Sequence, residues 1–120
     1  MPVIGGGGGF WSFIQLEDAA SATAAFVTGG APGIYNVVDD EPALVRHWLP
    51  GLAAMLGARP PLRVPKWIAR IAAGEHAVNL MTNVRGGSNR KLKAEIGWAP
   101  KYPSWRQGFA AVLAKQEADD

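Results

Sequence analysis

The 120-residue sequence predicts a small α/β domain: a scant sheet of two or three short strands with about five helices. Two short segments, residues 12–16 and 34–38, carry strand composition, the second rich in β-branched side chains. Apolar residues recur at helical spacing elsewhere, as in Leu44, Trp48, Leu52 and Met55. Stop and start signals divide these stripes, the sharpest being Gly97 with Pro100 just beyond it and the Ser104-Trp105-Arg106-Gln107 capping box.

Five glycines, Gly5 to Gly9, open the chain. No Gly-x-Gly-x-x-Gly aligns with them, because Phe10 and Trp11 occupy required positions. A dinucleotide loop must also join a strand to a helix, so that backbone N–H groups and the helix dipole meet the pyrophosphate. The run is therefore read as connector. After the 12–16 strand, Glu17 and Asp18 start an alanine-rich helix with Asp18 as its N-cap, closed by Gly29-Gly30. Asp39, Asp40, Glu41 and Pro42 mark the next helix start, where negative charge meets the positive end of the dipole. Pro50 is expected to kink or divide that helix, and Gly57 to end it.

Residues 60–65, with three prolines, read as an edge strand or connector. Trp67, Ile68 and Ile71 make the apolar face of a helix ending near Gly74, with further turns up to Met81. Ser88 or Asn89 caps a short basic helix that Gly97 ends in the left-handed conformation. Trp105, Phe109, Val112 and Leu113 form the buried stripe of the last helix, and Trp67, Trp98 and Trp105 are placed in the core. The whole is expected to be one domain over 1–120: a flexible Gly-rich lead-in at 1–10, the body at 11–116 and a frayed tail at 117–120.

Composition narrows the function. At 48% hydrophobic and 18% charged the chain is globular in type. It has no cysteine, hence no disulfide or thiolate metal site, and a cytoplasmic location is expected. His47 and His76 sit in no metal-ligand spacing, so no metal is expected. No apolar run approaches the ~18 residues of a membrane span. Net charge is only +2, but residues 1–45 contain no Lys or Arg. Between Arg85 and Arg106 six cations face one acid, Glu95.

The order of motifs resembles the C-terminal, substrate-binding lobe of extended short-chain dehydrogenases/reductases, the NAD-dependent epimerase/dehydratase family. The segments that carry the resemblance are 11–20, with Phe13-Ile14-Gln15 before Asp18, and 33–40, with Tyr35-Asn36-Val37. To these add 61–65 and 85–100, which opens on Arg85-Gly86 and closes on Ile96-Gly97-Trp98-Ala99-Pro100. The resemblance implies NAD(P) for the full-length family, held on a Rossmann half that also supplies a catalytic Tyr-x-x-x-Lys. Here Asp39 stands four residues beyond Tyr35 and Arg106 four beyond Tyr102, so neither tyrosine fits. The chain is accordingly expected to be a severed or free-standing lobe with no catalytic residues and no cofactor of its own.

The same resemblance implies substrate-binding roles. Arg85 aligns with an arginine that reaches a substrate diphosphate, a task suited to a planar, permanently charged guanidinium. Trp11 and Ser12 stand where sugar-nucleotide members often carry Arg-Asp. The substrate classes the resemblance implies are therefore a sugar nucleotide or, with one cation in place of two, a less anionic molecule such as a small ketone or alcohol. Asn36 lies on a strand expected beside the cleft. Arg90, Lys91 and Lys93 are read as a solvated helix face. Besides the lobe of a reductase, dehydratase or epimerase partnered by a Rossmann half, the sequence allows a non-enzymatic domain that self-associates or binds a small ligand. Nucleic-acid binding through the basic stretch ranks third, for want of a motif or a high overall charge.

Overall fold

A computed structural model describes residues 1–120. The element order is β1 (Val3–Ile4), β2 (Phe10–Trp11), α1 (Leu16–Thr28), β3 (Ala43–Leu44), α2 (Val45–Met55), β4 (Arg63–Val64), α3 (Lys66–Thr82), α4 (Arg90–Ile96) and α5 (Trp105–Asp119). The α/β class, the scant sheet and the five helices are as the sequence predicts. The strands lie elsewhere. Each is two residues long, and they form two separate two-stranded ladders, β1 parallel to β4 and β2 antiparallel to β3. Residues 12–15 and 34–38 belong to no strand or ladder. The chain divides into two compact units, Met1–Trp11 with Ala43–Gly86, and Ser12–Pro42 with Gly87–Asp120.

In the first unit Val3 and Ile4 are buried, and α3 packs on β1. The glycine connector explains itself by close approach. A Cβ on Gly7 would meet the Arg46 nitrogen at 2.8 Å, and one on Gly9 the Met81 carbonyl at 2.8 Å. Their carbonyls accept the Val45 and Arg46 N–H groups, at 3.0 and 3.1 Å, and so satisfy orphan donors at the start of α2. The acidic 39–41 run therefore does not start that helix, whose N-cap is Leu44. The helix also continues through Pro50. Gly57 turns the chain just after it with φ +66°.

α3 is two helical pieces divided at Gly74, whose φ of 84° and ψ of 170° are non-helical. The division falls where the sequence placed a helix end. Trp67, expected in the core, is 65% exposed, and Ile71, one turn on, is 83% exposed. The face they share points away from the residues this helix buries, Ala69, Val78 and Met81.

The second unit is built on Leu92 of α4, which is fully buried against Ala22 of α1 and Trp98. Ile14, Phe26, Tyr35, Val37 and Ile96 pack around them. Gln15 rather than Asp18 caps α1, its side chain accepting the Glu17 N–H. Asp18, only 2% exposed, has a longer reach: its two oxygens accept the backbone N–H groups of Lys101 at 2.7 Å and Tyr102 at 2.9 Å. Gly97 ends α4 at φ 63°, as read. Ser104 caps α5 by accepting the Arg106 N–H at 3.3 Å, and its hydroxyl also donates to Glu41. In α5 Trp105 is buried, whereas Val112 is exposed.

Candidate functional site: the 87–90 turn and the acidic segment 39–41

The turn at 87–90 is positioned by side chains from distant parts of the sequence. Ser12 Oγ accepts the Gly87 N–H at 2.7 Å and lies 3.4 Å from the Gly87 carbonyl as donor. Asn36 Nδ2 donates to the Ser88 carbonyl at 3.4 Å, with its side chain against Gly87. Asn89, expected as a helix cap, is buried and makes no cap bond. Its amide instead donates to the Val38 carbonyl at 3.0 Å and Asp40 Oδ1 at 2.7 Å. The longer-range bonds win because they satisfy the unpaired backbone of the 34–38 segment.

Two of the four residues the sequence proposed as substrate contacts, Ser12 and Asn36, thus converge on one turn. Trp11 belongs to the first unit, where its indole lies 4.9 Å from Trp48 and its Nε1 donates to the Leu80 carbonyl at 2.8 Å. Arg85 is exposed in that same unit.

The acids of 39–41 are engaged one by one. Asp40 pairs with Lys93 at 2.7 Å. Glu41 pairs with Arg106 and accepts the Ser104 hydroxyl. Lys93 is thus drawn off the helix face, and Lys91 donates to the Ile34 carbonyl at 2.9 Å with its ammonium 4.6 Å above the Tyr35 ring. Of the three cations read as a solvated face, only Arg90 remains one. Asp39 has no cationic partner. Oδ1 accepts the Glu41 N–H at 3.0 Å, and the residue is 4% exposed.

Burial pushes the Asp39 carboxyl up to about 6, assisted by the neighbouring carboxylates of Glu41, Asp40 and Asp18 and opposed by the Glu41 N–H. A carboxyl whose folded value is raised contributes stability that is whole below its unfolded value near 3.8 and is lost as pH rises through about 6. Asp39→Asn keeps an acceptor for the Glu41 N–H and cannot ionise. It is expected to match the parent near pH 4 and to exceed it by about 1–3 kcal/mol at neutral pH, read from urea unfolding at both values.

A cavity of about 310 Å³ lies in this unit, lined by Asp39, Asp40, Pro42 and residues 87–90. Sequence reasoning missed it because Asp39 read as a helix start. No group of three or more metal-ligating side chains occurs, and no helix is long and apolar enough to cross a membrane.

No protein-family model matches the chain. It is similar to 3-diazoavenalumate denitrifying reductase from a Streptomyces species, with 40% identity over 109 residues, covering 91% of this chain and 36% of the reductase. A functionally unknown conserved protein from Silicibacter pomeroyi superposes with a TM-score of 0.79 at 31% identity, over 98% of this chain and 42% of that one. The human epimerase family protein SDR39U1, solved with NADPH, gives 0.72 at 19% identity, over 94% and 38%. RMD from Pseudomonas aeruginosa, complexed with NADPH, gives 0.61 at 22%, over 98% and 35%. The chain therefore spans little more than a third of the curated relative. Its fold is similar to a portion of the human epimerase family protein and of RMD, and its sequence is similar to part of a reductase.

Proposed function

We propose that the chain supplies the substrate-side lobe of an NAD(P)H-dependent reductase or epimerase and acts together with a nucleotide-binding half. The observation that carries this reading is the 40% identity over 109 residues to a denitrifying reductase. Two features of the chain support it. The glycine run leads from β1 into β2 instead of into a helix, so no N-terminal dipole is offered to a pyrophosphate. Neither tyrosine has a lysine four residues on, which fits a proton donor supplied by the other half.

In this reading Ser12 and Asn36 set the shape of the 87–88 turn, while Arg85 and Trp11 meet the substrate. One cation, with Trp11 and Ser12 at the other position, suits a small ketone or alcohol better than a nucleotide diphosphate. The test is a chimera in which this chain replaces the aligned segment of the Streptomyces reductase. It is expected to bind NADPH and to oxidise it with 3-diazoavenalumate or a small ketone, and Arg85→Ala is expected to raise KM about tenfold, the loss of one charge-assisted contact. A folded, NADPH-binding chimera without turnover on either probe would contradict the reading.

A second reading, self-association, is favoured by the exposed Trp67 and Ile71 on one face of α3, together with exposed Leu62. It predicts a species larger than the monomer in light scattering, and a monomer at all concentrations removes it.

A further inference from the structure

The second unit contains an acid and a base, Asp39 and Arg90, that line the same cavity and form no ion pair. Every neighbouring acid is matched: Asp40 by Lys93, Glu41 by Arg106, and Asp18 by two backbone N–H groups. Asp39 alone among these acids has no cation or second donor beside it, only one of its oxygens holding a hydrogen bond, and it lines the cavity. The turn at 39–41 does not account for a carboxylate here. An asparagine or serine would accept the same Glu41 N–H without burying a charge. Arg90 lines the same cavity; its backbone N–H donates to Ser88 Oγ at 3.3 Å, but its guanidinium forms no ion pair or hydrogen bond. Asp39 and Arg90 do not reach each other either, since no salt bridge joins them.

We propose that this cavity binds a small zwitterion of the amino-acid class, its ammonium group on Asp39 and its carboxylate on Arg90. A dipolar molecule completes both charges at once, whereas a simple amine meets repulsion from Arg90 and a simple carboxylate meets it from Asp39. The volume of about 310 Å³ lies at the lower end of small-molecule sites, in keeping with a ligand of few heavy atoms. Asn89, buried beneath the turn and bonded to Val38 and Asp40, keeps the two walls in register. The burial that raises the Asp39 carboxyl is a penalty that a bound ammonium group offsets. All the residues of the site lie within one unit.

The test is a backbone amide NMR titration of the chain with glycine and β-alanine, alongside methylammonium and acetate as the separate halves. At least one zwitterion is expected to give saturable shifts confined to residues 39–42 and 87–90, with affinity about tenfold or more above either half. Asp39→Asn and Arg90→Gln are each expected to weaken that binding about tenfold while circular dichroism stays unchanged. Unsaturable or scattered shifts, equal affinity for a half, or full affinity in both variants would overturn the assignment.

Discussion

Leu92→Ala is expected to destabilise the second unit by about 3–5 kcal/mol, the upper part of the range for burying and then deleting a leucine side chain. The magnitude follows from where Leu92 sits. It is fully buried on α4, and it contacts a cluster drawn from α1, the 34–38 segment and the Gly97–Trp98 turn. Ala22, facing it, cannot expand to fill the void, and Trp98 is held by its Nε1 donating to Ser21 Oγ at 2.9 Å. A site that cannot collapse retains its cavity. Urea unfolding should show a lower midpoint with unchanged slope, whereas a loss under 1 kcal/mol would mean that the cluster repacks. Leu92→Met, similar in volume, should cost less than about 1.5 kcal/mol.

Asp18→Ala is expected to cost about 2–4 kcal/mol, since hydrogen bonds to a charged acceptor contribute roughly 1.5–3 kcal/mol each and two donors lose theirs. The carboxylate ties α1 to the 101–102 turn across more than eighty residues of sequence. Asp18→Asn separates charge from shape. Its single oxygen can serve one donor, while its NH₂ group opposes the other, so it should fall between parent and alanine. Thermal unfolding of the three proteins side by side gives the order, and an Asn variant equal to the parent would show that only one bond matters.

What was legible in the sequence was local. Gly97 followed by Pro100, the Ser104 cap and the break at Gly74 each depend on neighbours within a turn or two. Long-range polar partners were not legible. Asp18 has the composition of an N-cap and serves a turn far along the chain. Asn89 has the same composition and anchors the 34–38 segment. Asp39, Asp40 and Glu41 look like a helix start, yet Lys93, Arg106 and Ser104 claim two of them and the third lines a cavity. In each case one side chain has both a local and a tertiary use, and only the fold decides between them. Trp67 failed for another reason. Helical periodicity reports an apolar face but not what covers it, and within its unit nothing covers that face.

The candidate site was half legible. Ser12 and Asn36, the substrate contacts the resemblance implies, meet on one turn, where they hold the backbone of Gly87 and Ser88. A run of cations on one helix gives no sign of which member lacks an ion-pair partner, as Arg90 does.

Calorimetric titration of the purified chain with NADPH bears on the proposal that cofactor and proton donor lie outside these 120 residues. No saturable heat is expected, since the glycine run leads into a strand instead of opening a helix. Saturable binding in the micromolar range, abolished by substitutions within this chain, would contradict that proposal and require a nucleotide site of its own.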